Sequence, residues 1–342
     1  MKIVHSEGHR AHHPRHFLVR GVRKQSEEVP HRADILAEAA HGAGHAFVAS
    51  EAHGRGPLAA VHTPDYLDFL QHAHAAWQAL EGGSDEIVPN VHPQRHAATY
   101  PSHIVGRAGF HMADTACPIG AGTWEGACAS ADIAAHGARM VMDGERAVYA
   151  LCRPPGHHAY ADMAGGFCFL NNTAIAAELL RGRWPRVAIL DIDVHHGNGT
   201  QGIFWRRADV LHVSIHADPA AFYPFFWGHA HERGEGPGEG YTMNLPLAHG
   251  TADLGYLQAL ERAFGVIRSY DPGVLVVALG LDASEADPLG ALKVTVAGFG
   301  QIGSAIARLG LPTLLVQEGG YVSPLLGDTL VSFLAGFESG RA

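Results

Sequence analysis

Residues 187–196 read VAILDIDVHH. The first four, Val187–Leu190, form a short apolar run with the length and β-branched content of a strand buried on both faces. The run then delivers Asp191, Asp193 and His195 at alternate positions, which in extended backbone point to one side. A buried strand that ends in ionisable groups fits a parallel sheet whose ligands bind beyond the strands' carboxyl ends.

The same pattern recurs along the chain. Ala147–Cys152 runs into Arg153-Pro154-Pro155-Gly156-His157-His158, and Val210–Ile215 ends at His216. Val274–Leu281 ends at Asp282, and Thr313–Val316 leads into Gln317-Glu318-Gly319-Gly320-Tyr321. Helical patterns lie between these runs at Glu125–Asp143, Asn172–Leu180, Leu254–Tyr270 and Val294–Leu309, the second following asparagines suited to capping it. Met1 to His9 reads as a short strand and then polar loop. Strand and helix in alternation predict an α/β fold, a parallel sheet covered on both faces. Residues 82–124, rich in proline and glycine, read as a long excursion from that sheet, of a length usually tied to function or contacts. Gly234–Gly240 (GEGPGEG) reads as turn material near the site. No repeat or linker divides the chain, so 1–342 is expected to be one catalytic domain.

Composition narrows the function. With 24 basic against 34 acidic residues the formal charge is −10, and no basic stripe offsets it. Nucleic acid is therefore not expected as a partner, whereas a cationic ligand is. The four cysteines show no CxxC spacing and suggest no disulfide framework. No apolar signal core opens the chain and no stretch nears the roughly 20 apolar residues of a membrane span. A cytoplasmic protein without a membrane partner is the expectation. The 26 histidines include scattered ones, as at His12, His13, His41, His45, His72 and His74, most of which read as solvated surface residues. Spacing, not abundance, has to identify a metal site.

Asp193 and His195 lie two residues apart, and Asp282 follows its own buried strand, so together they make a plausible open metal site. An Asp₂His set leaves positions for water and substrate, the mark of a catalytic zinc centre. Oxygen-rich sites of this kind also accept iron(II) or cobalt. Singly, each aspartate is as readily a helix cap or a loop turn. His157 and His158 follow a stiff Pro-Pro-Gly turn that can hold two imidazoles in a pocket for proton transfer, or expose them at the surface. In Glu318-Gly319-Gly320-Tyr321 the glycines let the backbone approach the site, and the phenol can donate to an oxyanion or simply close a strand end.

The motifs RPPGHH, GGFCFLNN (165–172), DIDVHHGNGTQ (191–201), the Asp282 segment and EGGY occur in order across residues 150–321. In that combination the sequence resembles the histone deacetylase-like amidohydrolases. The 82–124 excursion and short C-terminus most resemble their bacterial acetylpolyamine amidohydrolase branch. The resemblance implies the arginase/deacetylase fold, with a central eight-stranded parallel sheet and one zinc ion held by Asp193, His195 and Asp282. It implies His158 as general base and then acid, and His157, with Asp191, as an electrostatic partner. Tyr321 would support the oxyanion. Phe167, preceded by Gly166, and Tyr223 would wall the substrate tunnel. Asp191, Ser214 and the backbone of Asp193, His195 and Ile215 would line a potassium site.

The resemblance also implies a small cationic acetylated amine as substrate and a homodimer whose partner narrows the tunnel. Asp114 lies where such relatives tend to carry an acidic group facing the distal ammonium, although an exposed loop aspartate reads equally well. Two residues depart from the histone-directed pattern. Asn198 stands where many relatives have Asp, so a neutral amide would orient His158. Tyr223 stands in place of the more usual Phe, its hydroxyl free to meet a ligand or solvent. Other readings are a broad deacetylase of acetyl-lysine peptides, a non-catalytic small-molecule sensor, or a histidine-rich metal-binding protein. An arginase-like two-metal hydrolase lacks its second carboxylate-rich site.

Overall fold

In the computed structural model, which describes residues 1–93 and 99–341, the apolar runs lie side by side. The strands, in chain order, are β1 (Lys2–His5), β2 (His16–Val19), β3 (Val22–Gln25), β4 (Ala46–Ala49), β5 (Ala147–Ala150), β6 (Val187–Asp191), β7 (Val210–Ala217), β8 (Thr242–Leu247), β9 (Val274–Leu279) and β10 (Thr313–Gln317). Eight form the expected parallel sheet, in the order β4-β1-β5-β10-β9-β6-β7-β8; β2 and β3 pair apart as an antiparallel hairpin.

The five runs that end in ionisable groups are the contiguous centre of this sheet, β5-β10-β9-β6-β7. Every residue in them is buried. A central parallel strand has a helix layer on each face, which is why its sequence is unbroken by polar residues. Along β6, Val187 and Ile189 join the core under the helices Thr123–Met142 and Asn172–Arg181. Ala188 and Leu190 face the opposite core, beneath the helices Asp253–Tyr270, Val296–Ala307 and Leu326–Ser339. Asn171 caps its helix as expected, its side-chain oxygen accepting from the Ala174 N–H at 2.9 Å.

The edge strands are less legible. β4 is largely exposed, and β8 contains Pro246, whose missing N–H is tolerated at an edge. Two central strands end earlier than their apolar runs. Leu281 leaves the ladder and donates its N–H to the Gly319 carbonyl at 3.1 Å, so the backbone turns into the site while still buried.

Several expectations need correction or completion. His12 is not solvated: it is buried, with Nδ1 3.1 Å from the Thr123 hydroxyl and its ring edge-on to Phe169. The 3₁₀ turn Glu7–Ala11 carries it beneath the surface. Gly234 and Gly238 pack on the backbone of Trp205 and line no part of the site cavity. The 82–124 excursion contains the helix Ile104–His111 and returns through bridges Ile87–Ile119 and Met112–Ala164. Its residues 94–98 lie outside the described residues.

Candidate functional site

The turns after β6 and β9 meet at the floor of one cavity. Donor atoms of Asp193, His195 and Asp282 all lie within 4.8 Å of one another. His195 Nδ1 is 3.2 Å from an oxygen of each carboxylate. Backbone N–H groups fix the rest of the set: Val194 donates to Asp282 (2.9 Å), Gly319 to Asp193 (2.7 Å) and His195 to Asp193 (2.8 Å). Glycine is required around them. A Cβ on Gly319 would lie 2.1 Å from an Asp282 oxygen, and one on Gly280 would lie 2.3 Å from an Asp193 oxygen.

Both aspartates are fully buried and His195 nearly so. Burial, then the neighbouring Asp193, pushes the Asp282 carboxyl up to about 7. Burial opposes a charge on His195, but its bonds to Asp193 and Asp282 outweigh it and raise the imidazole to about 9. Two buried carboxylates converging on one imidazole nitrogen make a site that calls for positive charge. Two oxygen donors and one nitrogen, with His195 also reaching the cavity, fit a divalent cation that keeps open positions. The expected zinc ligands are therefore brought together.

The loop after β5 supplies the two histidines. Glu318, from the end of β10, accepts from the N–H of Gly156 (2.6 Å), the N–H of His157 (3.0 Å) and the Thr173 hydroxyl (2.7 Å). Asn172 donates to the Pro154 carbonyl at 3.0 Å. The loop is thus bolted down from both sides and the histidines are buried, not exposed in a surface turn. Their ring centroids lie 4.0 Å apart with the planes tilted by 42°, yet their partners differ. His157 Nδ1 lies 2.9 Å from Asp191 Oδ2, and its Nε2 is 3.8 Å from Asp193. Burial disfavours its charge, but Asp193 and Asp191 prevail and raise it to about 10. His158 Nδ1 lies 2.6 Å from Asn198 Oδ1, and Asn198 in turn donates to the Tyr160 hydroxyl. An amide oxygen facing Nδ1 requires the proton there and leaves the lone pair on Nε2. Burial, followed by the charges of His157 and His195, holds His158 well below the usual histidine range.

Tyr321 closes the cavity opposite. Its N–H donates to Asp287 at 2.7 Å, and Arg32 lies 4.5 Å over its ring. Arg32 also donates to the Gly320 and Glu318 carbonyls, and the buried Glu28 holds it together with Arg153. Burial pushes the Tyr321 phenol well above its ordinary range, so it remains a donor. On the other side of the floor, Asp191 is the register partner of Ser214, with Ile215 next along β7.

The cavity, of about 390 Å³, is lined by His158, His195 and Tyr321 below and by Gly166, Phe167 and Tyr223 along its walls. The hairpin β2–β3 contributes Phe17 to Arg20, and Phe222 stacks on His195 at 4.8 Å. No sequence pattern marks these last wall residues, nor the supports Glu28, Arg32 and Asp287. Only the Glu within EGGY carried a signal, through its place at a strand end. Asp114 and the Tyr223 hydroxyl meet each other. The hydroxyl donates to Asp114 at 2.6 Å. Asp114 is half-buried, not exposed, and is not among the cavity-lining residues.

Comparison with known proteins agrees with this geometry. The histone deacetylase domain model matches residues 25–337. Acetylpolyamine amidohydrolase of Burkholderia pseudomallei is 46% identical over 327 residues, covering 95% of each chain. Acetylpolyamine amidohydrolase 2 of Pseudomonas aeruginosa is 44% identical over 341 residues, covering 99% of each. A crystal structure of the acetylpolyamine aminohydrolase from Burkholderia pseudomallei superposes with a TM-score of 0.97 at 44% identity, covering 100% of both chains.

Proposed function

This chain belongs to the histone deacetylase family, and from that premise we propose that it hydrolyses the acetyl amide of small acetylated polyamines, releasing acetate and free amine. The observation that carries the reading is a single one: the Asp193–His195–Asp282 set lies at the floor of a cavity that also presents His158 and Tyr321. The names of the most similar relatives supply the substrate class, and a net charge of −10 suits a cationic amine.

The family is generally metal dependent, and Asp193, His195 and Asp282 would hold zinc, with iron(II) or cobalt as substitutes. Bound there, the ion supplies Lewis-acid polarisation of the amide carbonyl and a lowered pKa for water. His158, neutral and with its lone pair on Nε2, takes a proton from the attacking water and returns it to the departing amine. His157, hydrogen-bonded to Asp191, is the electrostatic partner beside the charge that develops. Tyr321 donates its phenolic hydrogen to the oxyanion. Asp191, Ser214 and the backbone of Asp193, His195 and Ile215 would hold a potassium ion. The whole of 1–342 acts as one catalytic domain in the cytoplasm; no described helix is long and apolar enough to cross a membrane.

The protein works as a homodimer. Phe225, which lines the cavity, and its neighbours Phe226 and Trp227 are exposed by 50%, 84% and 38%. Such an aromatic patch at the mouth suits coverage by a second copy. Sedimentation at the weight of one chain would remove this element.

Acetate release from acetylputrescine, acetylcadaverine and an acetyl-lysine peptide, with and without chelator, tests the reading. Fast, chelator-sensitive release from the small amines alone is expected. Comparable release from the peptide would instead make the protein a broad deacetylase, and no release from any would refute the substrate class.

A further inference from the structure

Three remote segments meet at one carboxylate beside the cavity. Asp114 follows the helix Ile104–His111, and its oxygens accept from the N–H of Ala116 at 2.8 Å, the N–H of Gly166 at 3.1 Å and the Tyr223 hydroxyl at 2.6 Å. Gly166 lies in the turn after β5, and Tyr223 in the loop after β7, so the carboxylate ties two different cavity walls together. The contact is close. A Cβ on Gly166, at φ +51, would lie 2.8 Å from the Tyr223 hydroxyl and 2.5 Å from the His158 ring. The Tyr223 ring stands edge-on to His158 at 4.9 Å and 87°. A phenylalanine here would keep the ring and lose the tie.

We propose that Asp114 and Tyr223 form a latch that fixes the bore of the channel beside His158, with Asp114 a positioning residue and Tyr223 the determinant of selectivity for slender amides. The inference rests on the deacetylase reading of the same cavity. Its content differs from direct charge recognition: a carboxylate that already accepts three hydrogen bonds and does not line the cavity acts through the wall it holds. A charge-assisted hydrogen bond of this kind is expected to be worth about tenfold or more in a rate that depends on its geometry.

The test is a double-mutant cycle on kcat/KM with Y223F, D114A and the pair. Three substrates are used: acetylputrescine, the neutral slender N-butylacetamide and the neutral wide N-(cyclohexylmethyl)acetamide. Y223F is nearly isosteric; its melting temperature and bound zinc are checked against the wild type, and D114N replaces D114A if that variant fails to fold. The latch predicts that each single variant loses about tenfold on both slender amides alike, that the pair loses no more than the worse single, and that the preference for slender over wide amide narrows. A loss confined to acetylputrescine would make Asp114 a direct charge partner and overturn the latch. Losses that multiply in the pair, or no loss, would overturn it too. If the wild type leaves acetylputrescine untouched, the polyamine reading fails by that result alone. The cycle is then measured on whichever acetyl amide the wild type does hydrolyse.

Discussion

His157 and His158 are neighbours in sequence, both buried, with rings 4.0 Å apart, yet one imidazole is raised to about 10 and the other is held well below the usual histidine range. Burial works against charge on both. The difference comes from what each Nδ1 meets: a carboxylate at 2.9 Å for His157, an amide oxygen at 2.6 Å for His158. Compensation by Asp191 and Asp193 exceeds the cost of burial for the first imidazole. Nothing comparable opposes burial for the second, and the neighbouring cation depresses it further. The pair thereby divides two tasks that one histidine cannot perform together, stable positive charge and an available lone pair.

The sharpest break is removal of the lone pair. H158A is expected to lower kcat by about 10²- to 10⁴-fold with zinc content unchanged, as acetate release and metal analysis would show. D191N removes the carboxylate at Nδ1 of His157 and lets that ring lose its charge. A fall in kcat on the order of ten- to a hundredfold is expected, again at full metal occupancy. An equal loss in both variants would mean that the two imidazoles share one role. N198D gives His158 the same kind of partner as His157 and should raise its proton affinity. Because the neutral form is the base, the acidic limb of kcat/KM should move up by about 1 pH unit or more. A limb that stays in place would show that the amide–carboxylate difference does not govern this ring.

The contrast extends to histidines that the fold keeps neutral for structural reasons. Burial lowers His9, His62 and His216 to about 4 and His12 and His212 to about 3. Their folded pKa lies below the unfolded value of about 6.5, so the unfolded chain binds protons first as pH falls. Their stabilisation is fully present above about 6.5 and is lost progressively towards about 4. Each group contributes a loss of about 1.4 kcal/mol per pH unit in that window. The urea midpoint should therefore drop steeply between pH 7 and pH 5. His212 has no partner for either ring nitrogen among the described residues. H212F should shallow that drop slightly; an unchanged slope would remove His212 from the set.

What could be read in the sequence follows a physical division between floor and walls. Strands β5, β6, β7, β9 and β10 sit in the middle of a covered sheet, so each is an unbroken apolar run, and the ionisable residues that follow are placed by the sheet itself. Asp191, Asp193, His195 and Asp282 were legible for that reason. The walls are assembled from the hairpin β2–β3, the loop holding Tyr223 and the segment around Asp114, which come together only in three dimensions. No periodicity in those segments announces the meeting. The supports Glu28, Arg32 and Asp287 were hidden likewise, since a buried charge network looks in sequence like ordinary surface residues. Exposure misled in the same way at His12, where a 3₁₀ turn buries a histidine that its polar neighbours place outside.

The most direct test of the central claim is acetate release from acetylputrescine by metal-stripped protein as zinc is added back. The Asp193–His195–Asp282 set at the cavity floor predicts activity that is absent at the start and saturates at one zinc per chain. Activity that persists without metal, or that rises only with a second equivalent, would contradict it.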